Sequence, residues 1–205
     1  MTVAINRVKQ HLSRPEARTT KTMRVSKEKA AENRERILVA AAQMFRERGL
    51  AVGVDDVAAA AGLTHGSVYS QFGSKERLAA EALNHAIAGS AVKFAKVESL
   101  ADYADRYLSM VHRDRPGDGC VVAALGCDVP RAGDATRKTF TDGVRRMVER
   151  LSRVGRKKGR PQAEDDALAA AAMLVGGIIL ARAVDDPDLS RRILASCRAA
   201  LGAEG

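Results

Sequence analysis

Apolar side chains recur along this chain at intervals of three and four, and glycine interrupts the recurrence at Gly49, Gly62 and Gly73. An interval near 3.6 is that of a helix with one face buried; a strand, whose side chains alternate, does not produce it. The chain therefore reads as a succession of helices cut by glycine. Aromatic residues are only 3% of the 205 and Trp is absent, which also favours helix over sheet. With 46% hydrophobic and 29% charged residues the chain is neither disordered nor fibrous, and is long enough for one large or two small domains.

Cys120, Cys127 and Cys197 are an odd number, and the start does not read as a signal peptide. A disulfide framework is therefore not expected, and a reducing, cytoplasmic setting is. The longest uncharged helical stretch, 167–181, falls short of the roughly 20 residues a bilayer requires, so no membrane span is expected.

The net charge of +9 is unevenly placed: residues 1–36 carry ten Lys or Arg against four Glu, whereas 37–78 balance at four against four. A basic arm leading into a compact helical segment is the footprint of a protein that approaches phosphates.

Residues 1–26 lack a regular apolar period and read as a flexible arm. A first helix is expected over 27–48, where Ile37, Ala41 and Phe45 share a face, and a second over 54–61, on Val54, Val57, Ala58 and Ala61. Gly62 supplies the left-handed residue that ends it. Thr64 then caps a third helix over 65–71, and Ser74 caps a long fourth. Two short helices joined by a turn containing glycine make a helix-turn-helix. Further helices are expected at 99–113, 119–128, 133–155, 164–183 and 188–201.

A recognition helix needs polar side chains outward and apolar ones inward. The third helix divides that way. His65, Ser67, Ser70 and Gln71 are groove-capable, Tyr69 adds a flat ring with a hydroxyl, and Val68 and Phe72 face inward. Gly66 lets the backbone approach closely, and Lys75 brings an ammonium to the free amides of the fourth helix.

The stretch RERILVAAAQMFRERGLAVGVDDVAAAAGLTHGSVYSQFGSKERL, Arg34 to Leu78, closely resembles the DNA-binding domain of the tetracycline-repressor (TetR) family of transcriptional regulators, over about a fifth of the chain. The resemblance implies a homodimer carrying one helix-turn-helix per subunit and a larger C-terminal domain that binds a small effector. It places the base and phosphate contacts on Thr64, His65, Gly66, Ser67, Tyr69, Ser70, Gln71 and Lys75, with Phe72 as core anchor. One departure stands out: the family often has Thr or Ser just before its second helix, where this chain has Val52 and Gly53. Asp55 and Asp56 are read as helping the helix dipole rather than DNA.

The run from Asp166 to Leu201 is similar to the last two helices of such regulators, which pair with the same two of a second subunit. Met173, Gly177, Leu180, Leu189, Ile193 and Cys197 are the expected interface. The resemblance also places an effector pocket among the middle helices, where Phe94, Tyr107, Met110, Val111, Cys120, Leu125, Phe140 and Met147 are the candidates and an apolar or amphipathic molecule the expected occupant. No cofactor and no metal site is expected; the spacing of Cys120, Cys127 and His112 matches no zinc pattern.

The fold expected is thus all-α: an arm (1–26), a helix-turn-helix DNA-binding domain (27–78), and a helical bundle for effector binding and dimerisation (79–205). The function expected is a homodimeric repressor released from a pseudo-palindromic operator by a small-molecule effector. A redox- or electrophile-sensing regulator is the alternative, because Cys120 and Cys127 fall at i and i+7 of one expected helix and so on one side of it. An architectural DNA-binding protein, using the arm and the KGRP core of residues 155–162, is a further reading. An enzyme is not expected, since neither a nucleophile–base pattern nor a phosphate-cradling glycine loop is present.

Overall fold

The computed structural model describes residues 19–155 and 164–202, with side chains from Ser26 onward. Among these residues the chain is helical, with no strand. The helices are α1 (Thr19–Arg48), α2 (Val54–Ala60), α3 (His65–Phe72), α4 (Lys75–Lys93), α5 (Leu100–Tyr107), α6 (Met110–Asp114), α7 (Val121–Leu125), α8 (Asp134–Val154), α9 (Glu164–Ala183) and α10 (Pro187–Gly202). Short 3₁₀ turns at Pro116–Asp118 and Val129–Arg131 flank α7.

The first helix begins at Thr19 rather than at 27, which corrects the expected arm. Residues 19–26 lack an apolar period, but they contain neither Gly nor Pro, so backbone hydrogen bonding carries the helix outward beyond its packed part. Residues 1–18 and 156–163, with most of the basic arm and of the KGRP loop, lie outside the described residues.

Two apolar clusters hold the molecule together. The first gathers Ile37, Phe45, Val57, Val68, Phe72, Leu78 and Leu83 from α1–α4, and is completed by Val121, Leu125 and Val129 from the α7 region. The second gathers Tyr103, Tyr107, Leu108, Leu151, Leu174, Ile178 and Leu194 from α5, α8, α9 and α10. The long helix α4 packs on both α1 and α8, spanning the two halves.

Two expected helices differ. The one over 99–113 is broken at Leu108 and Ser109, where the Ser109 hydroxyl accepts from the His112 amide and starts α6 afresh. The one over 119–128 shrinks to Val121–Leu125, so Cys120 is its N-cap and Cys127 lies past its end. α9 is also long and apolar enough, by length and composition, to cross a membrane, contrary to the expectation from its uncharged core alone. Here one side of it, Ala167, Ala170, Leu174, Gly177, Ile178 and Ala181, is buried against the neighbouring helices.

Beneath the second cluster runs a polar seam. The Arg182 guanidinium donates to the carbonyls of His112 (2.6 Å) and Arg113 (3.0 Å). Arg113 donates to the buried Ser190 hydroxyl (2.9 Å), which itself donates to the Ala181 carbonyl (2.6 Å). These bonds tie α6 to α9 and α10 and satisfy groups that would be costly to bury alone.

Candidate nucleic-acid interface and ligand pocket

Gly62 (φ 64°) and Gly73 (φ 74°) both take the left-handed conformation, ending α2 and α3 so that a short, steep helix stands between two turns. The Thr64 side chain accepts from the Ser67 amide at 3.3 Å, capping α3 as its sequence implies. α2, by contrast, starts at Gly53 with no side-chain cap, and Val52 before it is buried. The departure seen in the sequence is therefore structural: Val52 serves the core.

Val68 and Phe72 point into the first cluster, leaving His65, Gly66, Tyr69 and Ser70 exposed along the other side of α3. The Tyr69 ring, 42% exposed, stacks on the His65 ring with centroids 4.7 Å apart. His65 Nδ1 lies 2.6 Å from Asp55 Oδ1 on α2; a carboxylate only accepts, so Nδ1 carries the hydrogen. Asp55 thus orients the exposed imidazole. A Cβ at Gly66 would meet only Thr64 Oγ1, at 3.9 Å, so the close-approach surface there is open. Ser70 donates back to the Ser67 carbonyl (2.9 Å), Gln71 is half-buried, and Lys75 Nζ reaches the Ala51 carbonyl (3.3 Å) beside the start of α2.

Arg34 is the residue that pattern reading passes over. Its guanidinium lies 4.2 Å from the Phe72 ring centroid, donates to the Gln71 carbonyl at the end of α3 (2.9 Å), and pairs with Glu81 on α4. One side chain of α1 therefore fixes α3 and α4 together, and its only sequence signal is its place at the head of the motif-bearing stretch. In the linear sequence Asp55 is an acid at a helix start; its spacing from His65 becomes meaningful only once the α2–α3 turn is folded.

The effector candidates separate. Phe94, Tyr107, Cys120 and Met147 line one pocket of about 60 Å³ between α4, α5, α7 and α8, together with Ile87, Tyr103 and Arg150. Leu125 is instead fully buried in the first cluster, and Phe140 packs on that cluster. Met110 and Val111 are exposed, because the break at Ser109 resets the helical register; Val111 borders a wider cleft of about 450 Å³ that shares Ser90, Phe94 and Cys120 with the pocket. The rings of Phe94, Tyr103 and Tyr107 form one wall, with centroids 4.5 to 6.2 Å apart. Behind it His112 donates from Nδ1 to the Tyr107 carbonyl (2.6 Å) and accepts at Nε2 from the Cys120 amide (2.9 Å). Burial drives its pKa down to about 4.

Cys120 is half-buried and Cys127 exposed. With the helix between them reduced to Val121–Leu125, they no longer share one helical face, which removes the geometric basis for pairing them. Among the expected interface residues, Met173, Leu180 and Leu189 are exposed, whereas Ile193 and Cys197 pack on the chain's own second cluster. Gly177 lies in the seam with α10, where a Cβ would meet Cys197 Sγ and Leu108 Cδ2 at 3.0 Å. No group of three or more His, Cys, Asp or Glu among the described residues could hold a metal.

Residues 37–82 match the family model described as bacterial regulatory proteins, tetR family. Among solved structures, the chain is similar to a TetR-family transcriptional regulator from Agrobacterium tumefaciens (19% identity, TM-score 0.72, covering 85% of this chain and 98% of that one). It is likewise similar to one from Cytophaga hutchinsonii (25%, 0.71, 85% and 96%), and to the reduced form of E. coli NemR (21%, 0.70, 83% and 95%). No match was found among curated proteins.

Proposed function

We propose that this chain, whose residues 37–82 match the TetR family of bacterial regulatory proteins, is a DNA-binding regulator of transcription that acts as a homodimeric repressor released from a pseudo-palindromic operator by a small-molecule effector. The observation that carries this reading is the continuity of α4. Its first residue, Lys75, stands beside the recognition helix, and its last turns, through Ile87, Ser90 and Phe94, wall the pocket. A helix of 19 residues is about 28 Å long. A ligand that tilts it at the pocket end moves α3 at the other, through Arg34 and Glu81.

In this reading residues 27–78 are the DNA-binding unit and 79–205 the effector and dimer unit, a division of labour rather than of core. Thr64, His65, Gly66, Ser67, Tyr69, Ser70 and Gln71 meet base edges and backbone, and Lys75 a phosphate. The second copy sits against α9 and α10. Leu168, Ala172 and Leu180 lie on one exposed stripe of α9 at multiples of four, with the small Gly176 completing it, and Met173 and Leu189 beside it. Two copies joined there present recognition helices to successive major grooves about 34 Å apart. A ligand releases the operator only through its difference in affinity for the two dimer shapes.

The test is selection of duplexes from a sheared genomic library at near-physiological salt. Enrichment of fragments sharing an inverted repeat, lost in Tyr69→Ala, supports the reading; strong but unselective binding would instead make this an architectural protein.

The thiol-sensing alternative now rests on Cys120 alone, since it is the cysteine that lines the pocket. Abolition of effector response in Cys120→Ser, with ordinary operator binding, is its signature.

A further inference from the structure

The pocket wall contains a polar group with only a thiol beside it. Tyr107 is 1% exposed, and its buried hydroxyl has no nitrogen or oxygen partner among the described residues; the weakly bonding Cys120 side chain is its neighbour. Leaving such a group without a strong partner is costly, so it is kept only where something offsets it. Burial, with Cys120 beside it, holds the phenol protonated, so it stands as an O–H donor.

The charges around the pocket are one-sided. Gly143, Arg146, Met147 and Arg150 follow one another at helical spacing on the face of α8 that lines it, and no Asp or Glu lines it at all. Arg150 is half-buried and makes only a long contact to the Ser90 carbonyl (3.4 Å). Arg146 is exposed and makes no ion pair or hydrogen bond among the described residues. Two guanidinium groups without a paired carboxylate, one half-buried and one at the solvent edge, beside an aromatic wall, favour an anion with an apolar body. The space is small: Gly143 brings α8 so close to α4 that a Cβ there would lie 2.7 Å from Ile87 Cδ1.

We propose that this pocket takes a small monocarboxylic acid of one ring or less that carries one further oxygen, its carboxylate at Arg146 and Arg150, its apolar body against Phe94, Tyr103 and Met147, and the further oxygen, at its inner end, accepting from the Tyr107 hydroxyl. This rests on the reading of the pocket as the effector site and names the class of effector. A carboxylate pairs with guanidinium through two parallel hydrogen bonds, which a neutral amide of the same shape reproduces poorly.

The experiment is titration of the full-length protein with 4-hydroxybenzoate and 4-oxopentanoate, and with 4-hydroxybenzamide and 4-oxopentanamide as uncharged counterparts, followed by calorimetry and ligand-observed NMR. The acids are expected to bind at least about tenfold more tightly than the amides. The double variant Arg146→Gln/Arg150→Gln is expected to erase that preference. Tyr107→Phe is expected to weaken binding of the acids without lowering the unfolding midpoint, because the hydroxyl it removes has no nitrogen or oxygen partner in the folded chain. Equal binding of acids and amides, no binding of any of the four at millimolar concentration, or a preference that survives loss of both arginines would overturn the proposal. Operator binding is measured separately: acids that bind but leave the operator complex intact would sink the repressor-release reading while the acid site stands.

Discussion

At the scale of single residues, the exposed face of α3 is less free than its sequence suggests. His65 is held between the Asp55 carboxylate and the Tyr69 ring, so its outward edge is presented in one orientation before any DNA arrives. Fixing a side chain in advance reduces the entropy lost on binding. If α3 meets DNA as proposed, Asp55 has a second effect of opposite sign, since an exposed carboxylate beside a helix that meets phosphates repels DNA of every sequence. Asp55→Ala is therefore expected to strengthen binding to random duplex while lowering the preference for the operator by about tenfold, with stability changed by less than about 0.5 kcal/mol. Competition titrations read both quantities, and unchanged selectivity would show that Asp55 does not position His65. None of this was visible in the linear pattern, in which Asp55 and Asp56 are simply acids at a helix start; the folded turn makes one of them a partner of α3.

At the scale of elements, the helices with glycine or hydroxyl ends were legible. α3 and α4 lie where Thr64, Gly73 and Ser74 place them, because a cap or a left-handed glycine leaves the backbone little choice. The α5–α6 region was not, and the reason is local. The apolar spacing of Tyr103, Tyr107, Met110 and Val111 continues as if unbroken, but the Ser109 cap restarts the helix and turns Met110 and Val111 outward. The same break lets His112 reach back to Tyr107 and across to Cys120. Because burial pulls its pKa from 6.5 to about 4, the folded chain holds fewer protons than the unfolded one between those values. Stability is accordingly full above about pH 6.5 and falls by about 2 to 3 kcal/mol as pH drops toward 4. Denaturant midpoints at a series of pH values check this, with His112→Asn as the variant expected to lose that component of the slope. A neighbouring element is equally constrained: Gly177→Val, placed against Cys197 and Leu108, is expected to cost about 1 to 3 kcal/mol by prising α9 from α10.

At the scale of the whole molecule, the first cluster does not respect the boundary at residue 78. Ala79, Ala82, Leu83 and Ala86 extend it along α4, and Val121, Leu125 and Val129 close it from the far half. A fragment ending after α4 exposes that closing face, and is expected to give helical circular dichroism with poorly dispersed NMR signals; a cooperatively folded fragment would contradict the shared core. Leu180, 56% exposed on the outer stripe of α9, is the corresponding probe of assembly. Leu180→Glu is expected to yield a monomer by sedimentation, with secondary structure unchanged and operator affinity reduced about a hundredfold or more, since one recognition helix then binds alone. The sequence carried the all-helical class and the helix-turn-helix, whose periodicities are local. It could not carry the shared core, because Val121, Leu125 and Val129 meet α1 and α4 only through long-range packing.

The seam between the halves is built where bare backbone meets charged side chains. Leu50 donates its amide to Asp128 (3.0 Å), and Arg46 donates to the Gly117 carbonyl (2.6 Å). Glu47 and Glu76 occupy the spaces in which Gly117 and Gly133 would otherwise carry a Cβ. Such a junction is a lock cut for one key. On the proposed repressor reading, grafting the first four helices onto the C-terminal half of another regulator would transmit no signal unless the receiving half also presents glycine at the positions of Gly117 and Gly133 and an acid at that of Asp128. A pair of chimaeras, with and without those three residues transplanted, would show inducible expression in the first and a constitutive or dead switch in the second.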